Sequence, residues 1–123
     1  MCLLSTSIKP KKAKEDIVCY KFFFKRNGRL ISPWTHFEWR TNVTYTARKA
    51  KPMYPNEIKD GYFHSFTTNE IADEMADHYS GIRHCYVYEC VIPKGTYYYT
   101  GEHRGLSGYA SKKLIIKKNV SVF

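Results

Sequence analysis

The sequence predicts an α+β fold, a mostly antiparallel sheet of five or six strands with one amphipathic helix laid on it. Three observations carry this. Short stretches rich in β-branched and aromatic residues recur between turn residues, as antiparallel strands do. One stretch, about residues 68–80, repeats its apolar residues at helical spacing instead. The chain is 123 residues long with 43% hydrophobic and 16% aromatic residues, which suits one domain around one modest core and excludes a wholly disordered protein. No internal repeat or domain boundary is visible. Residues 1–14 read as a flexible basic arm and 15–123 as a single domain.

The first strong element is DIVCYKFFFK, Asp16 to Lys25, a strand by its β-branched and aromatic content. Asn27-Gly28 then signals a tight hairpin, because both residues tolerate positive φ. The return arm is short, since Leu30-Ile31-Ser32 meets Pro33, which cannot donate to a ladder. PWTHFEWR, Pro33 to Arg40, reads as an aromatic loop or a single helical turn. Val43 to Ala47 alternates as a short strand. Arg48, Lys49 and Lys51, with Pro52 and Pro55 behind them, form a loop.

GYFHSF, Gly61 to Phe66, alternates again and puts Tyr62, His64 and Phe66 on one face. The helix follows. Thr67 and Glu70 have capping-box spacing. Ile71, Met75 and Tyr79, beside Ala72 and Ala76, make one apolar stripe. Glu70, Asp73, Glu74 and Asp77 lie in its first turns, where the helix dipole favours negative charge. His78 suits the C-terminal end for the same reason, and Gly81 is a natural stop. HCYVYECVI, His84 to Ile92, is apolar on both faces and so central. Pro93-Lys94-Gly95 turns into a strand from Thr96 to Thr100. Gly101 to Gly108 holds three glycines and reads as mobile. Lys113 to Val122 closes the chain as a strand.

The formal charge is +9, from 20 basic and 11 acidic side chains. It is segregated: 13 basic and 5 acidic in residues 1–60, 1 and 5 in 61–90, and 6 and 1 in 91–123. The helix is the acidic island in a basic chain. Lysines among aromatic residues suit nucleic acid, since ammonium groups meet phosphates and rings stack on bases. Lys9, Lys11, Lys12, Lys14, Arg48, Lys49 and Lys51 are the candidates. An acidic helix, however, is unsuited to a DNA groove. No apolar run is long enough to span a membrane as a helix. The start Met1-Cys2-Leu3-Leu4-Ser5 does not read as a secretory signal, so a cytoplasmic location with free thiols is expected. Cys85 and Cys90, five apart on one strand, point to opposite faces and cannot bridge each other. The five histidines have no metal-ligand spacing with one another or with cysteine, so no metal is expected. Glu89, mid-strand among apolar residues, is either paired across the sheet or faces a cleft. Tyr97-Tyr98-Tyr99 is either a stacking platform or an edge strand packed on its neighbours.

Two resemblances add to this. EDIVCYK, ISPW, GYFHSF, VIPKGTYYYTGEH and GYASKKLII together resemble a family of small uncharacterised proteins of gut bacteria and their phages, which implies an accessory bacterial or viral protein. Residues 61–100 are similar in layout to ADP-ribosyltransferases: Gly61-Tyr62-Phe63 on a strand, the helix with Ala72 and Ala76, then a long strand ending in a Pro-Gly turn. That resemblance implies a nicotinamide pocket. Tyr20 and Lys21 would stand on its first strand, Tyr62 or Tyr79 would stack, and His64, Ser65 and Glu102 would stand nearby. Such a site needs a carboxylate to stabilise an oxocarbenium-like transition state. Glu102 lies in a glycine-rich loop and Ser107-Gly108 stands where an acid would be expected, which implies a related scaffold without catalysis.

The leading expectation is a small soluble binding protein with no chemistry and no cofactor of its own, encoded by a phage or mobile element and directed at a host or phage protein. Trp34, Phe37 and Trp39 would be its contacts, because aromatic residues anchor interfaces. An NAD-using transferase with Tyr20, Lys21, Tyr62, His64, Ser65 and Glu102 as its pocket is the second reading, and nucleic-acid binding through the lysines is the third.

Overall fold

The computed structural model describes residues 3–5, 9–33, 37–47, 57–58 and 62–123. In chain order the elements are β1 (Leu3–Ser5), β2 (Lys11–Lys12), β3 (Ile17–Arg26), β4 (Arg29–Ile31), β5 (Glu38–Trp39), β6 (Thr44–Thr46), β7 (Glu57–Ile58), β8 (Phe63–Phe66), α1 (Asn69–Tyr79), β9 (Tyr86–Ile92), β10 (Tyr97–His103), β11 (Leu106–Ser111) and β12 (Lys113–Val122). The α+β class holds, but the described residues contain twelve strand segments, not five or six. Four of those not anticipated, β1, β2, β5 and β7, are only two or three residues long, too short to show an alternating pattern in the sequence.

The main sheet runs β6-β12-β9-β3-β8-β11-β10-β1-β7, with β2 also on β10, and all its pairs are antiparallel. β3 organises it. Residues Ile17 to Phe23 pair with β9, and Phe24 to Arg26 pair with β4, which pairs in turn with β5. One strand thus passes from the main sheet into a small second one. Its link to β8 is a single position, Tyr20 opposite Phe66, so the two strands part on either side of that point.

The two faces of the sheet carry different cores. On one face, called here the ring face, Cys19, Phe23, Tyr88, Cys90, Ile92, Leu114 and Ile116 pack with Leu30 and Trp39 from the small sheet. On the other, the helix face, Phe22, Phe66, Cys85 and Val87 pack with Ala72, Met75 and Ala76 of α1. Strand alternation assigns these sets, and it separates Cys85 from Cys90 as the sequence predicts.

Several local expectations are corrected. The helix is capped by Thr68, whose hydroxyl accepts from the Ile71 N–H at 3.2 Å, and not by Thr67. Thr67 is held by the sheet instead: its N–H and hydroxyl both donate to the Ser107 carbonyl. Gly81 is not a left-handed stop. Ser80 closes the helix in right-handed conformation, its N–H and hydroxyl both donating to Asp77 O. The glycine-rich stretch 101–108 is a regular hairpin of β10 and β11 around Arg104-Gly105, with φ of 51° and 79°. This is the same two-residue geometry as Asn27-Gly28, with φ of 51° and 75°, but it begins with a residue that carries no turn signal. The basic arm is also anchored where it is described. Lys11 and Lys12 pair with β10, Ala13 is buried, and its N–H and carbonyl bond Thr96 O and Gly95 N. Part of the expected aromatic loop, Glu38–Trp39, is strand.

Candidate functional site

Five of the residues that would form a nicotinamide pocket stand on β3, on β8 or just before β8, and Glu102 stands two strands further on, on β10; they divide between the two faces. Tyr20 lies opposite Phe66 and packs in the helix-face core. His64, two residues from Phe66, shares that face by alternation and is 8% exposed. Tyr62 meets the Tyr99 ring edge-on, centroids 5.6 Å apart, with Ala110 packed beside both. Burial and the neighbouring Tyr99 hydroxyl push the Tyr62 phenol above its usual pKa. Tyr20, Tyr62, His64 and Tyr99 therefore share the helix face, Tyr20 in the core against α1 and Tyr62 and Tyr99 in a separate small cluster around Ala110.

Lys21 and Ser65 belong to the ring face. The Lys21 ammonium donates to the His64 carbonyl at 2.8 Å. It bridges β3 and β8 beside the point where their ladder has parted, taking up a carbonyl of β8. Its nitrogen also lies 6.0 Å from the ring centres of Phe23 and Trp39, within reach of both π faces. Burial lowers its pKa to about 8, partly offset by the nearby thiols of Cys90 and Cys19. Ser65 is fully buried, its hydroxyl close enough to Cys19 to favour the thiolate, but burial still pushes Cys19 up to about 12. Cys90, on the strand opposite, is raised well above its usual value by the same burial. Glu102 sits opposite Ser107 on β10, exposed, and alternation turns it to the face away from His103.

The arrangement thus places Tyr20, Tyr62 and His64 on one face and Lys21, Ser65 and Glu102 on the other. Glu89 is the carboxylate closest in register to this group. It is the Cα partner of Tyr20 on one side and of Lys118 on the other. The sequence singled it out without a location, and only the register of three strands supplies one.

The expected protein contacts separate as well. Trp39 is 4% exposed. Its indole N–H donates to Ser32 Oγ at 2.6 Å, and its ring meets Phe23, Phe37, Tyr45 and Phe63 with centroids 4.7–6.1 Å apart. It is a core residue, because the small sheet folds it down over the ring face. Phe37 is 41% exposed on the rim of that nest. Trp34 lies outside the described residues.

The open part of the helix face was not anticipated. Val18, Val91, Ile115 and Thr44 are successive Cα partners across β3, β9, β12 and β6, outside the cluster that packs on α1. Val18 is 48% exposed. Lys113 and Lys118, both exposed, flank this row on β12. On β10, Tyr97 is 53% exposed, with Lys12 as its partner on β2. Lys9, Lys11 and Lys14 are exposed too, while Arg48, Lys49 and Lys51 lie outside the described residues.

Among the described residues, no group of three or more His, Cys, Asp or Glu is placed to hold a metal ion, and no helix is long and apolar enough to cross a membrane. Comparison with protein-family models, with curated proteins and with solved structures finds no match for this chain.

Proposed function

We propose that this chain is a small binding protein without chemistry of its own, which takes an acidic protein partner on the open part of its helix face. The observation that carries this is the division of the candidate pocket. Lys21 spends its ammonium on a backbone carbonyl, Ser65 is fully buried, and Glu102 faces away from His64. Three of the six groups a nicotinamide site would draw on are therefore turned from the other three. The partner's acidity follows from charge complementarity. The chain carries +9, and Lys113, opposite Thr46, and Lys118, opposite Glu89, border the apolar row of Val18, Val91 and Ile115, so Lys113 is the cation there with no acid as its strand partner. An accessory role in a phage or gut bacterium rests on the resemblance of five sequence segments alone.

Two rival readings have their own observations. The placement of Tyr20, Tyr62 and His64 on one face favours an NAD pocket, and the alignment of Lys12 with exposed Tyr97 favours nucleic acid. Titration with NAD and with a single-stranded oligonucleotide, each followed by calorimetry, decides among the three. The proposal expects no heat and no thermal shift with NAD, and no salt-sensitive oligonucleotide binding. Nicotinamide release abolished by His64→Ala would establish the transferase. Oligonucleotide affinity that falls steeply with salt and is lost in Tyr97→Ala would replace the protein partner with nucleic acid.

A further inference from the structure

We propose that Cys19 and Cys90 are a redox pair that closes a disulfide between the two central strands. They are direct Cα partners in the β3–β9 ladder. Directly opposite residues of an antiparallel pair hold their Cα atoms about 4.5–5.5 Å apart, inside the span of roughly 4.4–6.8 Å that a disulfide bridges. Both side chains lie in the same buried cluster on the ring face, and Cys90 is close enough to sense the charge of a Cys19 thiolate. Cys85 packs on the helix face, so among the described cysteines only these two share a side of the sheet. Lys21 is the next residue on that face, and its ammonium favours the thiolate of both.

The same burial that aligns the thiols also shields them. Both are fully buried, and Cys19 stays protonated until about pH 12 in the folded chain. Thiolate is the reacting form, so the reaction belongs to the folding chain or to an opened β3–β9 ladder. The co-reactant is a low-molecular-weight disulfide such as oxidised glutathione. One cysteine thiolate attacks it, forms a mixed disulfide and releases one small thiol. The second thiolate attacks the protein sulfur of that mixed disulfide, the Cys19–Cys90 bond forms, and a second small thiol leaves. Two electrons pass to the oxidant, and the two cysteine protons end on the released thiols.

The test unfolds the full chain under reducing conditions, then refolds it by dilution into a buffer of reduced and oxidised glutathione. The refolded chain is quenched with acid and unfolded in denaturant, its remaining thiols are alkylated there, and the protein is analysed by intact mass and peptide mapping. The expected product is lighter by two hydrogens, with one bond mapping to Cys19 and Cys90. It persists in Cys85→Ser and disappears in Cys90→Ser. Full alkylation of Cys19 and Cys90 after refolding, or a bond mapping to any other pair, would overturn the proposal and leave both residues as small apolar filling. Because wild type and Cys85→Ser are read directly, a folding failure of Cys90→Ser does not blur the outcome.

Discussion

On the ring face of β3, Cys19, Lys21 and Phe23 lie under a second layer made by β4 and β5, with Leu30 and Trp39 turned onto them. On the helix face of the same strand, Phe22 is covered by α1, whereas Val18 remains 48% exposed. The residue types on the two faces are similar. What differs is the cover: a twisted flap of rings fills one side, while an eleven-residue helix reaches only part of the other. An apolar strand pattern therefore reports that a face can be buried, not that anything is there to bury it. On this chain the closed side holds the most strongly shifted groups, Cys19, Lys21 and Cys90, and the other side keeps Val18 open to solvent.

The sharpest way to test that contrast is to cut into each side. Phe23→Ala removes a fully buried ring that meets Trp39 and Tyr88 edge-on, and should cost about 3–5 kcal/mol in urea unfolding. A loss below about 1 kcal/mol would show that the flap does not close over the ring face.

The next effect concerns Lys21, whose folded pKa of about 8 lies below its ordinary 10.5. Between those values the unfolded chain binds more protons than the folded one, so stability rises with pH from about 8 to 10.5 and is lost again as pH falls back across that window. The thiols act in the opposite sense. The unfolded chain loses their protons from about pH 9, whereas Cys19 keeps its proton to about 12, so stability falls above pH 9. Comparison with Lys21→Met isolates the lysine. From pH 8 to 9 the wild type should gain about 1 kcal/mol relative to the variant. An unchanged difference would mean that the ammonium is solvated.

Smaller still is the helix cap. Thr68→Ala should cost about 1 kcal/mol, measured by thermal or urea unfolding. Thr67→Ala should cost less, since its hydroxyl bond to Ser107 O is 3.5 Å long and its N–H bond survives the change. The reverse order would return the cap to the capping-box position. Val18→Thr, on the open row, should change stability by no more than about 0.5 kcal/mol. A larger loss would show that the row is covered within the chain itself and is not a surface for a partner.

The candidate site was legible in the sequence only in its parts. GYFHSF announces Tyr62, His64 and Phe66 on one face, because alternation along a strand is a local property. The same alternation already turns Ser65 away from His64, and Tyr20 and Lys21 are likewise consecutive, so neither pair could line one side of a strand together. The role of Lys21 was not legible, since the His64 carbonyl it binds is 43 residues away. Trp39 looked like an interface anchor because a loop rich in rings and a strand that folds its ring inward have the same composition.

From its sequence alone this chain was bound to form antiparallel strands, the Asn27-Gly28 hairpin and one acidic amphipathic helix between two apolar strands. Periodicity, turn chemistry and the helix dipole act over a few residues. Only the tertiary structure decided the strand order, the passage of β3 into a second sheet, the anchoring of Lys11 and Lys12 on β10, and the pairing of Cys19 with Cys90. Those depend on which distant strands meet and in what register, and a one-residue slip would turn every side chain to the opposite face.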